Sequence, residues 1–282
     1  MHPLRIGRRI IRRMRTSYPL HRAVLRVAGV AAASAVIAVP AVAGGTYYRG
    51  YAYAIDDHRL LYQESHWLYD ENGVGHRLVI YSCADGQPFA RKWVNTAPGT
   101  DTPDVDMLDG RTGYREGVRS AAGLREVFSQ ASSSAPEKHA PIPSLPNAVI
   151  DAGFDAFVRE HWDLLSAPGV APLPFLIPSQ LKFVEFSAKK LRDEQADGRD
   201  IRWFRLQLNG WYAFVLPHID VAYDLQNHDL FEYRGLSNIR GDGNRNLTVT
   251  IQFPPGERRT DIVQSDVQRA AGMPLTGRCA SS

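Results

Sequence analysis

The chain has 282 residues, with 33 lysines and arginines against 30 aspartates and glutamates, 44% hydrophobic residues and two cysteines. This length leaves room for one ordinary globular domain or two small ones. The hydrophobic content can offset the entropy of ordering a core, so an intrinsically disordered protein is excluded. Two cysteines are too few for a disulfide-scaffolded miniprotein. A mean hydropathy of −0.28 excludes a polytopic membrane protein.

The first 43 residues are predicted to be a signal peptide. Eight arginines and no acidic residue precede an apolar run from Val27 to Val39. A helix that crosses a bilayer needs about 20 apolar residues, and this run is shorter. It is followed by Pro40 and by Ala41 and Ala43, which match the small-x-small pattern of a signal peptidase. We therefore expect export to the periplasm with cleavage after Ala43. The alternative is an inner-membrane anchor formed by residues 27–43.

The net positive charge of the chain comes from this leader. Without its eight arginines, the acidic residues outnumber the basic ones. A nucleic-acid-binding domain needs lysines and arginines clustered on one face. The composition of the remaining chain therefore excludes nucleic acid as a partner. Contact with the membrane is expected only through the leader or transiently.

The two cysteines, Cys83 and Cys279, would meet an oxidising compartment after export. Two thiols that come close there can form a disulfide, which would tie the C-terminal tail to the domain. Cys279 lies in a polar tail close to the C-terminus, where chains often fray. The favoured interpretation is therefore two free thiols, with Cys83 half-buried in a strand, and the disulfide is the alternative.

Short apolar and aromatic runs separated by turn residues predict antiparallel strands joined by hairpins. In the first half of the chain these runs cover residues 51–55, 60–69, 76–83 and 88–94. Residues 101–109 are acidic and predict a loop, whereas residues 124–130 predict a strand or a short helix. Residues 131–146 are rich in serine and proline and predict a surface loop.

An amphipathic helix is predicted over residues 147–166. Asn147 is suited to cap its N-terminus, and Pro168 and Gly169 follow its end. Its apolar residues recur at spacings of three and four, which places on one stripe Ile150, Phe154, Phe157, Val158, Trp162 and Leu165. Because one apolar stripe must be buried, the most economical partner is a sheet.

The second half of the chain again reads as a meander. Apolar and polar residues alternate, or short apolar runs return, over residues 184–188, 204–208, 219–223, 230–236 and 249–253. Residues 196–198 and the pair Asn209–Gly210 are turn signals. The predicted fold is mainly β. We expect a single domain over residues 44–282, built as one curved antiparallel sheet of about ten strands, a half-barrel covered by one amphipathic helix.

Two extended blocks carry a resemblance of pattern. They read IDVAYDLQNHDLFEYRGLSNI (219–239) and NLTVTIQF (246–253). An exported antiparallel meander of this kind, with one helix set into its middle, resembles the periplasmic half-barrels of outer-membrane lipoprotein carriers (LolA-like and LolB-like). The blocks YSCADGQPFARK, VIDAGFDAFVREHW and YRGLSNI also resemble an uncharacterised bacterial exported family. The carrier resemblance implies a cavity for acyl chains between the concave sheet and the helix.

No motif points to a named reaction. There is no HExxH sequence, nucleophile elbow, P-loop or dinucleotide fingerprint, so we expect no catalytic set, no metal and no cofactor. Asp101, Asp104, Asp106 and Asp109 lack the glycine and the third ligand position of a calcium loop, which favours a solvated acidic loop. Four strand residues could form an acid and base pair inside a barrel, namely Glu64, His66, Glu185 and Glu232.

The remaining functional signal is the apolar face of the strands and helix. The residues predicted to line a ligand pocket are Phe154, Phe157, Trp162, Phe186, Phe204, Leu206, Val221, Tyr223, Ile251 and Phe253. The same residues could instead form a filled core, since side chains at native density leave no void. The predicted function is non-enzymatic periplasmic binding of a lipid, an acyl chain or a lipidated partner. The alternatives are an enzyme acting on an envelope component and an assembly factor that pairs through its sheet edges.

Overall fold

The fold is a curved antiparallel sheet in a computed structural model that describes residues 44–121, 123–209 and 218–279. The predicted signal peptide and Gly210 of the Asn-Gly turn lie outside these ranges. The strands among the described residues are β1 (Gly45–Ala54), β2 (Leu60–Glu71), β3 (Val74–Cys83), β4 (Pro88–Asn95), β5 (Asp104–Asp109), β6 (Tyr114–Ala121), β7 (Leu124–Gln130), β8 (Lys138–Pro141), β9 (Ala171–Ile177), β10 (Lys182–Ala196), β11 (Arg199–Leu208), β12 (Ile219–Asp224), β13 (Leu230–Arg240), β14 (Asn246–Gln252) and β15 (Arg259–Ile262).

Two antiparallel meanders, β1 to β8 and β9 to β14, make up this sheet. Neighbouring strands of each meander are also neighbours in sequence, and the pairing of β1 with β14 joins the two meanders. Strand β15 adds to β1. The predicted mainly-β antiparallel fold is confirmed, and the sheet is open, because β8 and β9 end its strand order.

The expected count of about ten strands is wrong, since the described residues form fifteen. Strands β5, β6, β8, β9 and β15 were not predicted. In β5 and β6 the apolar alternation is masked by charged residues that pair across strands. Strand β9 contains Pro172 and Pro174, which lack an N–H and are tolerated because β9 is an edge strand. Strand β8 lies inside the predicted Pro-rich loop and forms the opposite edge.

The turn predicted at residues 196–198 is confirmed, and a second hairpin loop of the same kind joins β2 to β3. Asn72 and Gly73 connect β2 to β3, and Asp197 and Gly198 connect β10 to β11. All four residues have positive φ, between 51° and 79°. Two-residue hairpin loops of this type need positive φ at both positions, which asparagine, aspartate and glycine adopt at low cost.

Within the described ranges, three α-helices accompany the sheet: α1 (Gly153–Glu160), α2 (Trp162–Ser166) and α3 (Gln264–Ala271). The predicted helix over residues 147–166 therefore begins later, at Gly153, and breaks at His161. Asn147 and Asp151 have φ of 55° and 45°, in the left-handed region, so residues 147–151 do not continue the helix. Instead, the Val149 N–H donates to the Pro174 carbonyl of β9 at 2.8 Å. None of the described helices is long and apolar enough to cross a membrane.

The helices lie on opposite faces of the sheet. Helices α1 and α2 pack on the face that carries Phe204 and Val221, which we call the inner face. Helix α3 packs through Val267 and Ala270 on the outer face, beside Tyr47. The expectation of one covering helix is thus wrong. Successive strand residues point to opposite faces, so both faces of the central strands are buried.

Cys83, the last residue of β3, is disulfide-bonded to Cys279, with 5.5 Å between the Cα atoms. The interpretation of two free thiols is wrong because the C-terminal tail does not fray before this point. The Arg91 guanidinium donates to the Met273 carbonyl at 2.6 Å, and the Thr276 N–H donates to the Pro88 carbonyl at 2.7 Å. These contacts hold the tail along β4 and bring Cys279 to Cys83.

Candidate functional site

The ten residues predicted to line a ligand pocket are all buried. Eight of them form one apolar cluster between the inner face and helices α1 and α2: Phe154, Phe157, Trp162, Phe186, Phe204, Leu206, Val221 and Tyr223. The other two, Ile251 and Phe253, belong to the neighbouring cluster of the inner face. Register explains the shared face, since Phe204 lies opposite Val221 on the next strand.

Aromatic contacts fill the space between the helices and the inner face. The Trp162 ring centroid lies 5.2 Å from that of Phe204 and 6.0 Å from that of Tyr223. Phe154 packs in the same way on Phe175 at 6.5 Å. These side chains serve as the core of this half of the sheet, and a ligand role for them stays a prediction.

The segment that contains α1 also carries two aspartates, Asp151 and Asp155, which face cationic residues of strands β3 and β4. Lys92 of β4 donates from Nζ to both carboxylate oxygens of Asp151, at 3.0 and 2.8 Å. Arg77 of β3 donates to Asp155 at 3.2 Å, and Arg159 donates to the other oxygen of Asp155 at 3.2 Å. Sequence reasoning missed this network, although Asp151, Asp155 and Arg159 recur every four residues.

These ion pairs control the protonation of both aspartates. Burial by itself raises the pKa of Asp151, but Lys92 and the Asn238 amide oppose it, and the net effect lowers that pKa. Burial likewise opposes ionisation of Asp155, while Arg159 and Arg77 lower its pKa below the usual value. Both carboxylates are therefore charged at neutral pH, and their ion pairs join the helical segment to strands β3 and β4.

The predicted acid and base pair is brought together only in part. His66 Nε2 lies 3.1 Å from Glu64 Oε1, and both residues are buried on the inner face. The two atoms are not aligned for a hydrogen bond. Neither ring nitrogen of His66 has a hydrogen-bond partner among the described residues. Glu232 pairs instead with Arg234, and Glu185 is exposed. Glu64 and His66 do not line the surface clefts beside α1 and α2.

The acidic segment 101–109 is not a solvated loop, because Asp104 to Asp109 form β5. Each carboxylate of this strand has an arginine partner, which explains why the segment is ordered. Asp104 pairs with Arg125 at 3.0 Å, Asp106 with Arg115 at 2.8 Å and Asp109 with Arg111 at 2.6 Å. These carboxylates are thus neutralised by side chains, and they do not converge on a calcium site.

Two clefts open on the surface of the described chain. One, of about 320 Å³, lies at the N-terminal end of α1, and its wall combines apolar surface with the side chains of Arg77, His76 and Asp70. The other, of about 310 Å³, lies between α2 and the start of β9, and we call it the apolar cleft. It is lined by Asn147, Phe157, His161, Leu164, Leu165, Ala167, Pro168, Gly169, Val170, Ala171, Pro172 and Ala188.

The mouth of the apolar cleft exposes large apolar side chains. Leu164 is 62% exposed and Val170 is 59% exposed. Phe157 is the one residue of the predicted pocket that contributes to its wall. The cleft was missed because α2 was predicted as part of one longer helix, whereas the break at His161 and the turn at Pro168 and Gly169 create the concavity.

Comparisons with known proteins complete the description. No protein-family model and no curated protein matches the chain in sequence. Among solved structures it is similar to a β-barrel-like protein of a domain of unknown function, DUF1849, from Brucella abortus. That likeness has 10% identity, covers 79% of this chain and 99% of that chain, and has a TM-score of 0.39.

A second likeness is to a domain described as an outer membrane lipoprotein-sorting protein from Vibrio parahaemolyticus. It has 10% identity, covers 81% of this chain and 91% of that chain, and has a TM-score of 0.28. Both TM-scores are below 0.5, so neither likeness carries a conclusion about function.

Proposed function

We propose that the protein is a non-enzymatic periplasmic binding protein that holds one acyl chain in the apolar cleft. The observation that carries this proposal is the exposure of Leu164 and Val170 beside a concave apolar wall. Large apolar side chains exposed next to a concavity mark binding sites, because water is released from both surfaces when a ligand enters.

The size of the apolar cleft favours a chain over a protein segment. Its volume of about 310 Å³ lies at the lower end of the range of small-molecule sites. An α-helix with its side chains is ~10 Å across, and a stable protein interface buries more than ~1,000 Å², so neither fits this cleft. A single hydrocarbon chain needs only a narrow apolar groove.

The wall of the apolar cleft also includes two polar residues. Asn147 and His161 line it together with apolar side chains and the backbone around Pro168. An amphiphile needs an apolar wall for its chain and a hydrogen-bonding group for its head, which the exposed Asn147 amide supplies. The disulfide between Cys83 and Cys279 supports the exported location, since such bonds persist in oxidising compartments.

Fluorescent fatty-acid titration tests this proposal. Leu164→Glu and Val170→Glu place a charge at the mouth of the cleft and are exposed, so the fold is retained. We expect saturable binding by the wild-type protein and at least about tenfold weaker binding by both variants, since a buried charge opposes apolar burial. The matched control is Ile55→Glu, in the turn after β1, where Ile55 is 51% exposed.

Competition experiments distinguish whether the bound acyl chain belongs to a lipid or to a lipidated partner. Displacement of the probe by free fatty acid and phospholipid indicates a lipid carrier. Displacement by an acylated peptide alone indicates a lipidated partner. Equal binding by the wild-type protein and both cleft variants contradicts the proposal.

A further inference from the structure

Three metal-ligating side chains converge beside the junction of α1 and α2. Asp101 precedes β5, Glu160 ends α1, and His161 separates α1 from α2. One ligand atom from each residue lies within 4.8 Å of those of the other two. Zinc bonds to oxygen and nitrogen are about 2.0–2.2 Å long, so an ion between them requires only a small movement of the exposed Glu160 side chain.

The His161 ring is held in an orientation suited to binding a metal. Its Nδ1 lies 3.1 Å from the Phe157 carbonyl. Because a carbonyl oxygen only accepts, Nδ1 must carry the hydrogen, which leaves the Nε2 lone pair free. The ring also stacks on Phe157, with 4.3 Å between centroids. Metal-ligating histidines in proteins typically donate their second nitrogen to a carbonyl or carboxylate in this way.

Asp101 is half-buried, and one of its two carboxylate oxygens is fully buried. Its Oδ1 is buried and has no hydrogen-bond partner among the described residues. Its backbone is fixed, because the Ile150 N–H donates to the Asp101 carbonyl at 2.9 Å. A Cβ added to Gly153 would lie 2.0 Å from the same carbonyl, so glycine is required for this approach. A buried carboxylate oxygen without a hydrogen-bond partner costs free energy, which a bound cation would offset.

Electrostatics distinguish this group from the other acidic residues of the segment. Asp104, Asp106 and Asp109 each pair with an arginine. Asp101 and Glu160 take part in no ion pair among the described residues. Two carboxylates therefore lie beside the His161 ring without an ion-pair partner among the described residues.

We propose that Asp101, Glu160 and His161 form a binding site for a divalent transition-metal ion of the Zn²⁺ class. Two carboxylate oxygens and one imidazole nitrogen suit Zn²⁺, whereas Ca²⁺ and Mg²⁺ prefer sites made of oxygen alone. Three protein ligands leave a coordination position for water or a ligand. The sequence offered no motif because Asp101 is distant along the chain from Glu160 and His161.

Calorimetric titration of the purified protein with Zn²⁺ tests the site, with bound metal measured after dialysis. We expect one equivalent of Zn²⁺ to bind, and at least about tenfold weaker binding by Glu160→Gln, His161→Gln and Asp101→Asn. The matched control is Asp163→Asn, which removes an exposed carboxylate of α2 near the site and should bind as the wild type does.

A thermal melt provides a second readout, because an ion that binds only the folded state raises Tm. Zn²⁺ should raise the Tm of the wild-type protein and of Asp163→Asn but not of Glu160→Gln. Absence of saturable binding at one equivalent, or equal binding by the wild-type protein and Glu160→Gln, overturns the proposal. Leu164→Glu, which is expected to lose the acyl chain, should keep the ion, so this proposal and the proposed function fail independently.

Discussion

Lys92 on β4 and Asp151, which precedes α1, form a buried ion pair with Nζ 2.8 and 3.0 Å from the two carboxylate oxygens. This pair joins the sheet to the helical segment at a residue whose φ of 45° lies in the left-handed region. The contact therefore helps to place α1 on the inner face. It also covers the interior at the side of the helical segment that faces β4.

Replacement of Lys92 by methionine should lower the free energy of unfolding by about 3–5 kcal/mol. Removing one partner leaves the buried Asp151 charge uncompensated, which costs more than the pair contributes. Urea denaturation followed by tryptophan fluorescence measures the loss. Lys138→Met on the exposed edge strand β8 is the control and should change stability by less than about 0.5 kcal/mol. Similar stabilities of the two variants would contradict a closed interior.

Phe204→Ala tests the packed apolar cluster. Phe204 is fully buried and contacts Trp162, so truncation should cost about 3–5 kcal/mol through lost transfer energy and a new cavity. The comparison is Leu164→Ala, which removes an exposed side chain and should cost little. A loss below about 1 kcal/mol for Phe204→Ala would mean that this side chain lines open space.

His66 should make stability fall on mild acidification. Burial lowers the pKa of its imidazole, and the nearby Glu64 carboxylate opposes this shift only in part. The unfolded chain, with a pKa of about 6.5, therefore takes up a proton at a higher pH than the folded chain does. Stability falls as the pH drops through this window, because the unfolded state binds more protons.

The variant His66→Phe keeps the stack on Tyr48 and removes the titrating group. Urea midpoints measured at about pH 7.5 and pH 5 should differ less for this variant than for the wild-type protein. His139→Gln, at an exposed histidine, should retain the wild-type difference. An unchanged pH dependence in His66→Phe would show that His66 does not set it.

The double variant Cys83→Ala/Cys279→Ala should lose about 2–5 kcal/mol of stability. The bond joins residues 196 positions apart, so it restricts the unfolded chain strongly. Dithiothreitol should destabilise the wild-type protein to a similar extent and leave the double variant unchanged. An effect of dithiothreitol on the double variant would point to a different cause.

The local pattern of the sequence predicts the parts of this fold that depend on local chemistry. Asp197 and Gly198 form the predicted turn because few residues adopt positive φ at low cost. The inner-face rows of β11, β12 and β14 follow from a period of two. The pattern does not predict the charged strands β5 and β6, because Asp106 and Arg115 become compatible with a sheet only when they form an ion pair across the two strands.

The features that form the candidate sites depend on long-range contacts. The helix starts at Gly153 because Val149 pairs with β9, which follows it in sequence. The residues predicted to line a pocket lie in two neighbouring buried clusters. However, ion pairs of Asp155 with Arg77 and of Asp151 with Lys92 fix the helical segment against the sheet. The apolar side chains of α1 and α2 then pack on the inner face. No local sequence pattern predicts this packing of the helices on the sheet, or the apolar cleft beside it.

Organic extraction and mass spectrometry of the protein purified from bacterial cells tests the central claim most directly, with Leu164→Glu purified in parallel. An acyl-chain carrier predicts about one acyl-bearing molecule per wild-type protein and far less in the variant. Absence of any acyl-bearing molecule from the wild-type protein, or equal amounts in both proteins, would contradict binding in the apolar cleft.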